Sequence, residues 1–362
     1  MTGQMIIKNY ENLLSQGDEA ARRVLLKTAE GALGSLNSYA VLKKSFKITG
    51  SHLCFGENQW DLSGKRNIYV VGGGKAANAM ARAVEEILGD RITSGIVAVK
   101  HLEPDDRLKK IELISAGHPL PDADSLRASQ NMLQLVEQAA PDDLFIGLIS
   151  GGSSALLSLP VAGISLEDEI ACTRELLASG ARILEINAVR RHISAINGGR
   201  LAQAVEQRGA EMINFIISDG VGNAPLTDPL RPARFCGTPV APDASTFADA
   251  AEVLNKYDLR GKVPRTVVEY IDKAAAYQET PKSFGDRVCH FVVQRVADGP
   301  VAALEAAKSQ GLPAFILTTV LQGESREAGT FLACVAKEVA NNRRPFAPPL
   351  PAYRRRRDHH GN

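Results

Sequence analysis

The stretch at residues 66–80, RNIYVVGGGKAANAM, decides the fold class of this 362-residue chain. Its apolar run IYVV is typical of a strand that is buried on both faces. Glycines end the run, and the segment that follows has the apolar spacing of a helix. The stretch therefore predicts a strand, a tight glycine turn and a helix, which together form the repeating unit of a parallel α/β sheet.

The same pattern recurs along the chain. Strand-like apolar runs occur at residues 94–100, 110–117, 142–150 and 211–219. Helical periodicity covers residues 75–88, 122–140, 166–207, 245–259 and 264–277, and it also covers the region from about residue 10 to residue 46. This alternation predicts a Rossmann-like parallel sheet with helices on both faces.

A polar stretch at residues 278–287, QETPKSFGDR, has the composition of a linker. After it the pattern restarts with a strand at 289–294, a helix at 299–310, a strand at 313–319 and a helix at 325–340. We therefore predict one α/β domain over residues 1–285, a partial second α/β domain over residues 286–349 and an aberrant tail over residues 350–362.

Composition narrows the class of protein. The chain is 44% hydrophobic and 23% charged with a formal net charge of +1, which is typical of a globular protein and predicts neither a nucleic-acid nor a membrane partner. No apolar run reaches the ~18 residues that span a bilayer, and the N-terminus lacks the pattern of a secretory signal. Five scattered cysteines without a C-x-x-C pair indicate reduced thiols, so we expect a cytoplasmic protein.

The first loop that could carry chemistry is VVGGGKAANAM. Gly72, Gly74 and Ala77 match G-x-G-x-x-A, and Lys75 adds a positive charge that would suit an anion. The next strand ends in Lys100 and a histidine, where an NAD-binding fold would place an acid for the ribose. A plain strand-to-helix turn with an exposed lysine is the alternative.

The second loop follows the strand at residues 142–150. Glycines there allow close approach of the backbone, and hydroxyls and amides could bind a phosphate or a carboxylate. A helix-capping turn is the alternative, and the absence of G-x-S-x-G disfavours a serine hydrolase. The residues of this loop are Ser150, Gly151, Gly152, Ser153 and Ser154.

The third loop contains Asp219 at the end of the strand IIS. A carboxylate in this position could bind Mg²⁺ or act as a general base, and an Asx turn is the alternative.

A basic segment, EINAVRRHISAINGGRLA, lies between the second and third loops. Its Arg190 and Arg200 would lie about 15 Å apart on a continuous helix, so they converge only if NGG interrupts that helix. A solvated helix face is the alternative. For His118, which precedes a proline in GHPLPDA, a structural role is favoured.

Taken together and in this order, the motifs GGGKAANAM, AGHPLPDADS, LISGGSSALL, EINAVRRHIS and APDASTFADA resemble those of the type II glycerate kinases, whose C-terminal domain is called MOFRL. The resemblance covers about residues 7–350. It implies an ATP- and Mg²⁺-dependent phosphorylation of D-glycerate, with 2-phosphoglycerate as the favoured product. It leaves a homo-oligomer open. Two alternatives are an NAD(P)H-dependent hydroxypyruvate reductase, because some members carry that name, and an inactive fragment.

The resemblance also implies roles for individual residues. Lys75, Asp219 and Arg190 would be catalytic, and Asp219 would also be the Mg²⁺ ligand, the choice between base and ligand remaining open. Phosphate or substrate would bind to Ser150, Gly151, Gly152, Ser153, Ser154, Asn187 and Arg200. An arginine clamp suits the carboxylate of glycerate, and lysine suits the transferred phosphoryl group.

Departures from the family pattern occur at Asn197, where lysine is usual, and at Asn223, where aspartate is usual. The final YRRRRDHHGN departs as well. One DNA sequence that could encode this tail gives IAGGETTTV when it is translated in the frame shifted by one base. That peptide contains the G-G-E-T-T of the family. We therefore expect a reading-frame scar, a truncated second domain and weak or no activity; a solvated basic terminus is the alternative.

Overall fold

The computed structural model describes residues 5–104, 106–220, 239–273, 277–321 and 323–346. The predictions at Asn223 and for the tail at 350–362 therefore lie outside the described residues. Two compact units are present: residues 36–296 form the larger one, and the segments before and after them form the smaller one. No helix in the described part of the chain is long and apolar enough to cross a bilayer.

The larger unit contains a six-stranded sheet and a separate three-stranded sheet. Its strands are β1 (Phe46–Thr49), β2 (His52–Phe55), β3 (Asn58–Asp61), β4 (Ile68–Gly74), β5 (Ser94–Val99), β6 (Ile111–Ser115), β7 (Leu144–Ser150), β8 (Glu211–Ser218) and β9 (Val288–Arg295). Its helices are α3 (Ser38–Ser45), α4 (Ala77–Leu88), α5 (Ala123–Glu137), α6 (Ser153–Leu156), α7 (Leu166–Ala178), α8 (Ile183–His192), α9 (Arg200–Gln207), α10 (Phe247–Lys256) and α11 (Arg265–Asp272).

The six-stranded sheet has the order β6-β5-β4-β7-β8-β9, and every neighbouring pair is parallel. Every residue of β4 and β7 is buried, as their continuous apolar runs predict. Tyr69 and Val71 pack in a core with α5 and α9, whereas Ile68 and Val70 pack in another core with α3 and α4. Because alternate residues of a strand point to opposite faces, both faces are covered and the α/β prediction is confirmed.

The glycines that end β4 are required by the close packing of β7. Gly72 has φ +152°, and a Cβ atom there would lie 2.1 Å from the carbonyl oxygen of Leu148. Gly74 has φ +146°, and a Cβ atom there would lie 2.0 Å from Oγ of Ser150. Any larger residue at these positions would push the two central strands apart. The glycine run is therefore needed for the packing of the strands before it is needed for the turn.

A helical layer packs beside the sheet in the larger unit. Helices α7, α8, α10 and α11 surround a third core that includes Leu176, Val189, Leu254 and Val267. This layer carries the basic segment of the sequence and therefore fixes where its arginines lie.

The smaller unit contains α1 (Tyr10–Leu14), α2 (Glu19–Ser35), α12 (Asp298–Lys308) and α13 (Ser325–Asn342). Gln310, just after α12, donates a hydrogen bond of 2.8 Å to Oγ1 of Thr28 on α2. The N-terminal helices and the C-terminal helices of the chain thus share one unit.

Three features differ from the sequence-based expectations. The antiparallel strands β1–β3 follow α3 and were not predicted, whereas the strand predicted at residues 313–319 has no regular structure. The strand that was expected to open a second domain, β9, is instead the outer neighbour of β8 in the main sheet. Strand β9 joins the main sheet because its backbone N–H and C=O groups find hydrogen-bond partners on β8. The assignment of residues 286–349 to a partial second family domain stays a prediction.

Candidate active site

The three loops singled out in the sequence meet at the carboxyl edge of the sheet, because β4, β7 and β8 are neighbours there. Nζ of Lys75 lies 3.0 Å from Oδ2 of Asp219. The amide of Lys75 donates to the carbonyl oxygen of Gly151 at 2.9 Å, and the amide of Ala76 donates to Oγ of Ser150 at 3.0 Å. Residues that lie far apart in the chain therefore form one cluster.

Two glycines make this convergence possible. A Cβ atom on Gly151 would lie 1.9 Å from Oδ2 of Asp219. Gly152 has φ +91°, and a Cβ atom there would lie 3.0 Å from the ring of His118 and 3.2 Å from Cγ of Lys75. A carboxylate, an ammonium group and an imidazole therefore surround the bare backbone of the Gly151–Gly152 turn.

Arg190 of α8 holds the next part of this loop. Its Nη1 donates to Oγ of Ser154 at 3.2 Å, and its Nη2 donates to the carbonyl oxygen of Ser154 at 3.0 Å. The remaining guanidinium nitrogen, Nε, is buried and has no partner among the described residues. Burial lowers the pKa of Arg190, and the nearby carboxyl of Glu169 opposes that shift. Arg190 thus brings a buried positive charge to the loop.

Glu169, whose charge acts on Arg190, is itself buried. Oγ of Ser158 donates to Oε2 of Glu169 at 2.5 Å. Burial raises the pKa of Glu169, while Ser158 and the charge of Arg190 oppose the rise. The charges of Glu169 and Arg190 therefore interact beside the loop.

The sequence NGG does interrupt the helix, between α8 and α9. Gly198 and Gly199 have φ values of +68° and +86°. Nη1 of Arg200 consequently reaches back and donates to the carbonyl oxygens of Arg191 at 2.7 Å and of Ser194 at 2.9 Å. Burial lowers the pKa of Arg200. These bonds tie the turn to the end of α8.

Two other predicted positions belong to the same helical layer. Asn187 lies three residues before Arg190 and therefore on the same side of α8. Asn197, where lysine is usual, is buried, and its Nδ2 donates to the carbonyl oxygen of Leu157 at 2.7 Å. Its side chain thus stabilises the end of the loop that begins at Ser150.

An ion pair that the sequence reasoning missed anchors this layer. Nη1 of Arg191 lies 2.7 Å from Oδ1 of Asp243, whose side chain is fully buried. Asp243 also accepts hydrogen bonds from Ser245 and from Oγ1 of Thr280. The signal was present in PDAST, because an aspartate two residues before a serine often accepts hydrogen bonds from the backbone that follows.

Most of the charges that act on His118 are positive. Burial lowers the pKa of His118, and the positive charges of Lys75, Lys100 and Arg190 lower it further against the opposing charge of Asp219. The imidazole is therefore neutral at neutral pH.

The fold and this cluster define a parallel α/β protein with charged side chains gathered around a glycine turn at the carboxyl edge of its sheet. The profile of the family described as "Domain of unknown function (DUF4147)" matches residues 24–272. The glycerate 2-kinase of Pyrococcus horikoshii is 36% identical over 91% of this chain and 72% of its own length. The chain belongs to the type II glycerate kinase family.

Other relatives carry two kinds of name. The D-glycerate 2-kinase of Thermotoga maritima is 38% identical over 78% of this chain and 64% of its own length. The crystal structure of glycerate kinase from that organism superposes with a TM-score of 0.72 at 34% identity, covering 91% of this chain and 72% of the other. A relative from Agrobacterium vitis, 38% identical over 77% of this chain, is named for hydroxypyruvate reduction, and this chain spans 60% of its length.

Proposed function

We propose that this chain transfers the γ-phosphoryl group of ATP to D-glycerate and forms 2-phosphoglycerate. The observation that carries the proposal is the Lys75–Asp219 pair, which lies against the bare turn of Gly151 and Gly152. Phosphoryl transfer needs positive charge on the transferred group and a carboxylate for a metal or for the attacking hydroxyl. The names of the Pyrococcus and Thermotoga relatives support this choice of substrate and product.

The residues present fit MgATP. Lys75 would face the transferred phosphoryl group, as a mobile point charge on an accessible side chain. Asp219 would hold Mg²⁺, because it is exposed and one of its carboxylate oxygens is not engaged by Lys75. Mg²⁺ is commonly bound by one or two carboxylates together with substrate phosphates, so one carboxylate can contribute to its site.

The loop residues would contact the anionic groups. Ser150 is buried, and its Oγ accepts a hydrogen bond from the amide of Ala76, so it would hold the loop against the turn after β4. Gly151 and Gly152 would allow phosphate oxygens to approach the backbone, and Ser153 and Ser154 would complete the loop. Ser154 is already oriented by Arg190.

The arginines would contribute in different ways. Arg190 and Asn187 would present the substrate side of α8, with the charge of Arg190 attracting the carboxylate of glycerate. Arg200 would act through the turn that it ties to α8, in addition to any direct contact with substrate. This reaction would occur in the cytoplasm with small dissolved substrates.

A coupled assay tests the proposal. The purified chain is incubated with MgATP and D-glycerate, and ADP release is followed; ³¹P spectra of the product distinguish the 2-phosphate from the 3-phosphate ester. ADP release that depends on D-glycerate is the expected result. Its absence in a folded chain would refute the proposal.

The reductase is the second candidate, supported by the name of the Agrobacterium relative. The end of β5 carries Lys100 in place of an acid, so NADPH would be favoured over NADH. Oxidation of NADPH that depends on hydroxypyruvate, without ADP release from ATP and glycerate, would favour the reductase. A folded chain without either activity would favour the inactive alternative.

A further inference from the structure

His118 lies beside the candidate site. It lies in the loop between β6 and α5, where a Cβ atom on Gly117 would lie 2.5 Å from the carbonyl oxygen of Leu120. At the end of this loop, Oδ1 of Asp122 accepts a hydrogen bond of 2.9 Å from the amide of Ser125 and caps α5. The backbone that carries His118 is therefore closely packed.

The orientation of the ring makes only one nitrogen available to a ligand. The Cδ2–Nε2 edge faces Gly152, and both atoms lie 3.0 Å from the position of a Cβ atom there. Nδ1 is buried and has no hydrogen-bond partner in the part of the chain that the structure describes. Nε2 is not among the fully buried atoms and makes no hydrogen bond within the described ranges. Nε2 is therefore free for a ligand on the Gly151–Gly152 turn.

Either neutral tautomer of His118 leaves Nε2 able to bond to a ligand. With the proton on Nδ1, Nε2 accepts a hydrogen bond, and with the proton on Nε2 it donates one. The Nε2 edge lies beside Gly152, where Cγ of Lys75 also approaches.

We propose that Nε2 of His118 forms a hydrogen bond with the hydroxyl group of the phosphoryl acceptor. This inference rests on the proposed function, and it names a substrate-contacting residue in addition to Lys75 and Asp219. Cations suit the carboxylate and phosphate groups of the ligands, whereas an uncharged imidazole nitrogen can bond to a hydroxyl group. Oδ2 of Asp219 is engaged by Lys75, whereas Nε2 of His118 is unoccupied by any described residue.

Substitutions of His118 that place a polar group at the position of one ring nitrogen or the other test the inference. The amide of glutamine reaches the position of Nε2, whereas the amide of asparagine reaches only that of Nδ1. We expect H118N and H118A to raise KM for D-glycerate about tenfold, because each variant loses one hydrogen bond to the substrate. KM for ATP should change less than about twofold. H118Q should stay within about threefold of the wild type. H101Q, the same change in the exposed loop after β5, is the control.

Structural damage is separated from lost contact by two measurements. Thermal unfolding of each variant shows whether the fold is kept. The ¹H–¹³C resonance of the His118 ring, assigned by its disappearance in H118Q, is then followed in the wild-type chain as D-glycerate is added. A shift that saturates with D-glycerate is expected and does not depend on turnover.

The outcomes also separate this inference from the proposed function. An unchanged KM for D-glycerate in H118A, an equal loss in folded H118Q and H118N, or a His118 resonance that ignores glycerate in an active chain would overturn the role of His118 and leave the kinase. A glycerate-dependent shift without ADP release would support the contact and overturn the kinase. If neither a glycerate-dependent shift nor ADP release is seen, both the His118 contact and the kinase are refuted.

Discussion

Lys75 and Asp219 lie 144 positions apart in the sequence and 3.0 Å apart in the structure, between Nζ and Oδ2. Their side chains are 46% and 57% exposed, so the pair contributes only about 0–1 kcal/mol to stability. An exposed ion pair built against a glycine turn at the end of three strands is better explained by a ligand than by the need to fold.

Lys75→Ala and Asp219→Asn should each reduce kcat/KM for glycerate phosphorylation by about 10²-fold or more, because each removes a charge that faces the reacting groups. The free energy of unfolding should change by less than about 1 kcal/mol, since both groups are exposed. Steady-state kinetics and urea unfolding measure the two effects. Lys262→Ala and Asp258→Asn, in another exposed pair, are matched controls. Near-normal turnover in both site variants would show that Lys75 and Asp219 have only a structural role.

Gly151→Ala should reduce activity while the fold is kept. The new methyl group would occupy a position 1.9 Å from Oδ2 of Asp219, so the exposed carboxylate must move away from Lys75. Gly261→Ala is the matched control, because nothing lies within 4 Å of a Cβ atom there. Kinetic assays with circular dichroism should show a loss of about tenfold or more for the first variant and none for the second. Equal activities would mean that the position of Asp219 is unimportant.

Arg190→Lys should destabilise the larger unit by about 1–3 kcal/mol, because lysine keeps the charge but cannot make both bonds to Ser154. Turnover should fall as well, since the loop loses its support from α8. Urea unfolding and kinetics measure the two effects, with Arg208→Lys at the exposed end of α9 as the control. A variant as stable as the control would show that the two bonds to Ser154 do not hold the loop.

Asp243→Asn should make stability less dependent on acid pH. Burial alone would raise the pKa of Asp243, but Arg191 and Ser245 lower it overall. A lowered pKa means that the stabilisation is complete above the ordinary value of about 3.9 and is lost as pH falls through the folded pKa. The variant should be about 3 kcal/mol less stable at pH 7, because Arg191 remains buried without its counter-charge.

Urea midpoints measured from pH 7 to pH 3 test this linkage. The difference between the wild type and Asp243→Asn should stay constant to about pH 4 and shrink below it. Asp258→Asn, at a side chain that is 98% exposed, is the control and should show little difference at any pH. A difference that grows as pH falls would contradict the assigned direction of the pKa shift.

Pattern reasoning succeeded where burial was extreme. The runs at β4 and β7 are buried along their whole length, so their apolar character depends little on partners. It failed at residues 313–319, whose apolar run resembles a strand but pairs with none. It also missed β1–β3, because four-residue strands that are partly exposed carry a weak periodic signal. Strand identity depends on pairing, which is not a local property.

The sequence by itself determined the alternation of strands and helices and the glycines at the carboxyl ends of β4 and β7. It also determined the residue types Lys75, Ser150 and Asp219 at the ends of β4, β7 and β8. Parallel topology then brings such ends to one edge for any chain with this pattern. Only the tertiary structure decided that Arg190 bonds to Ser154, that Arg191 pairs with Asp243 and that His118 presents Nε2 to the turn. These contacts join elements that are distant in the chain, and they depend on side-chain rotamers and burial that exist only once the layers have packed.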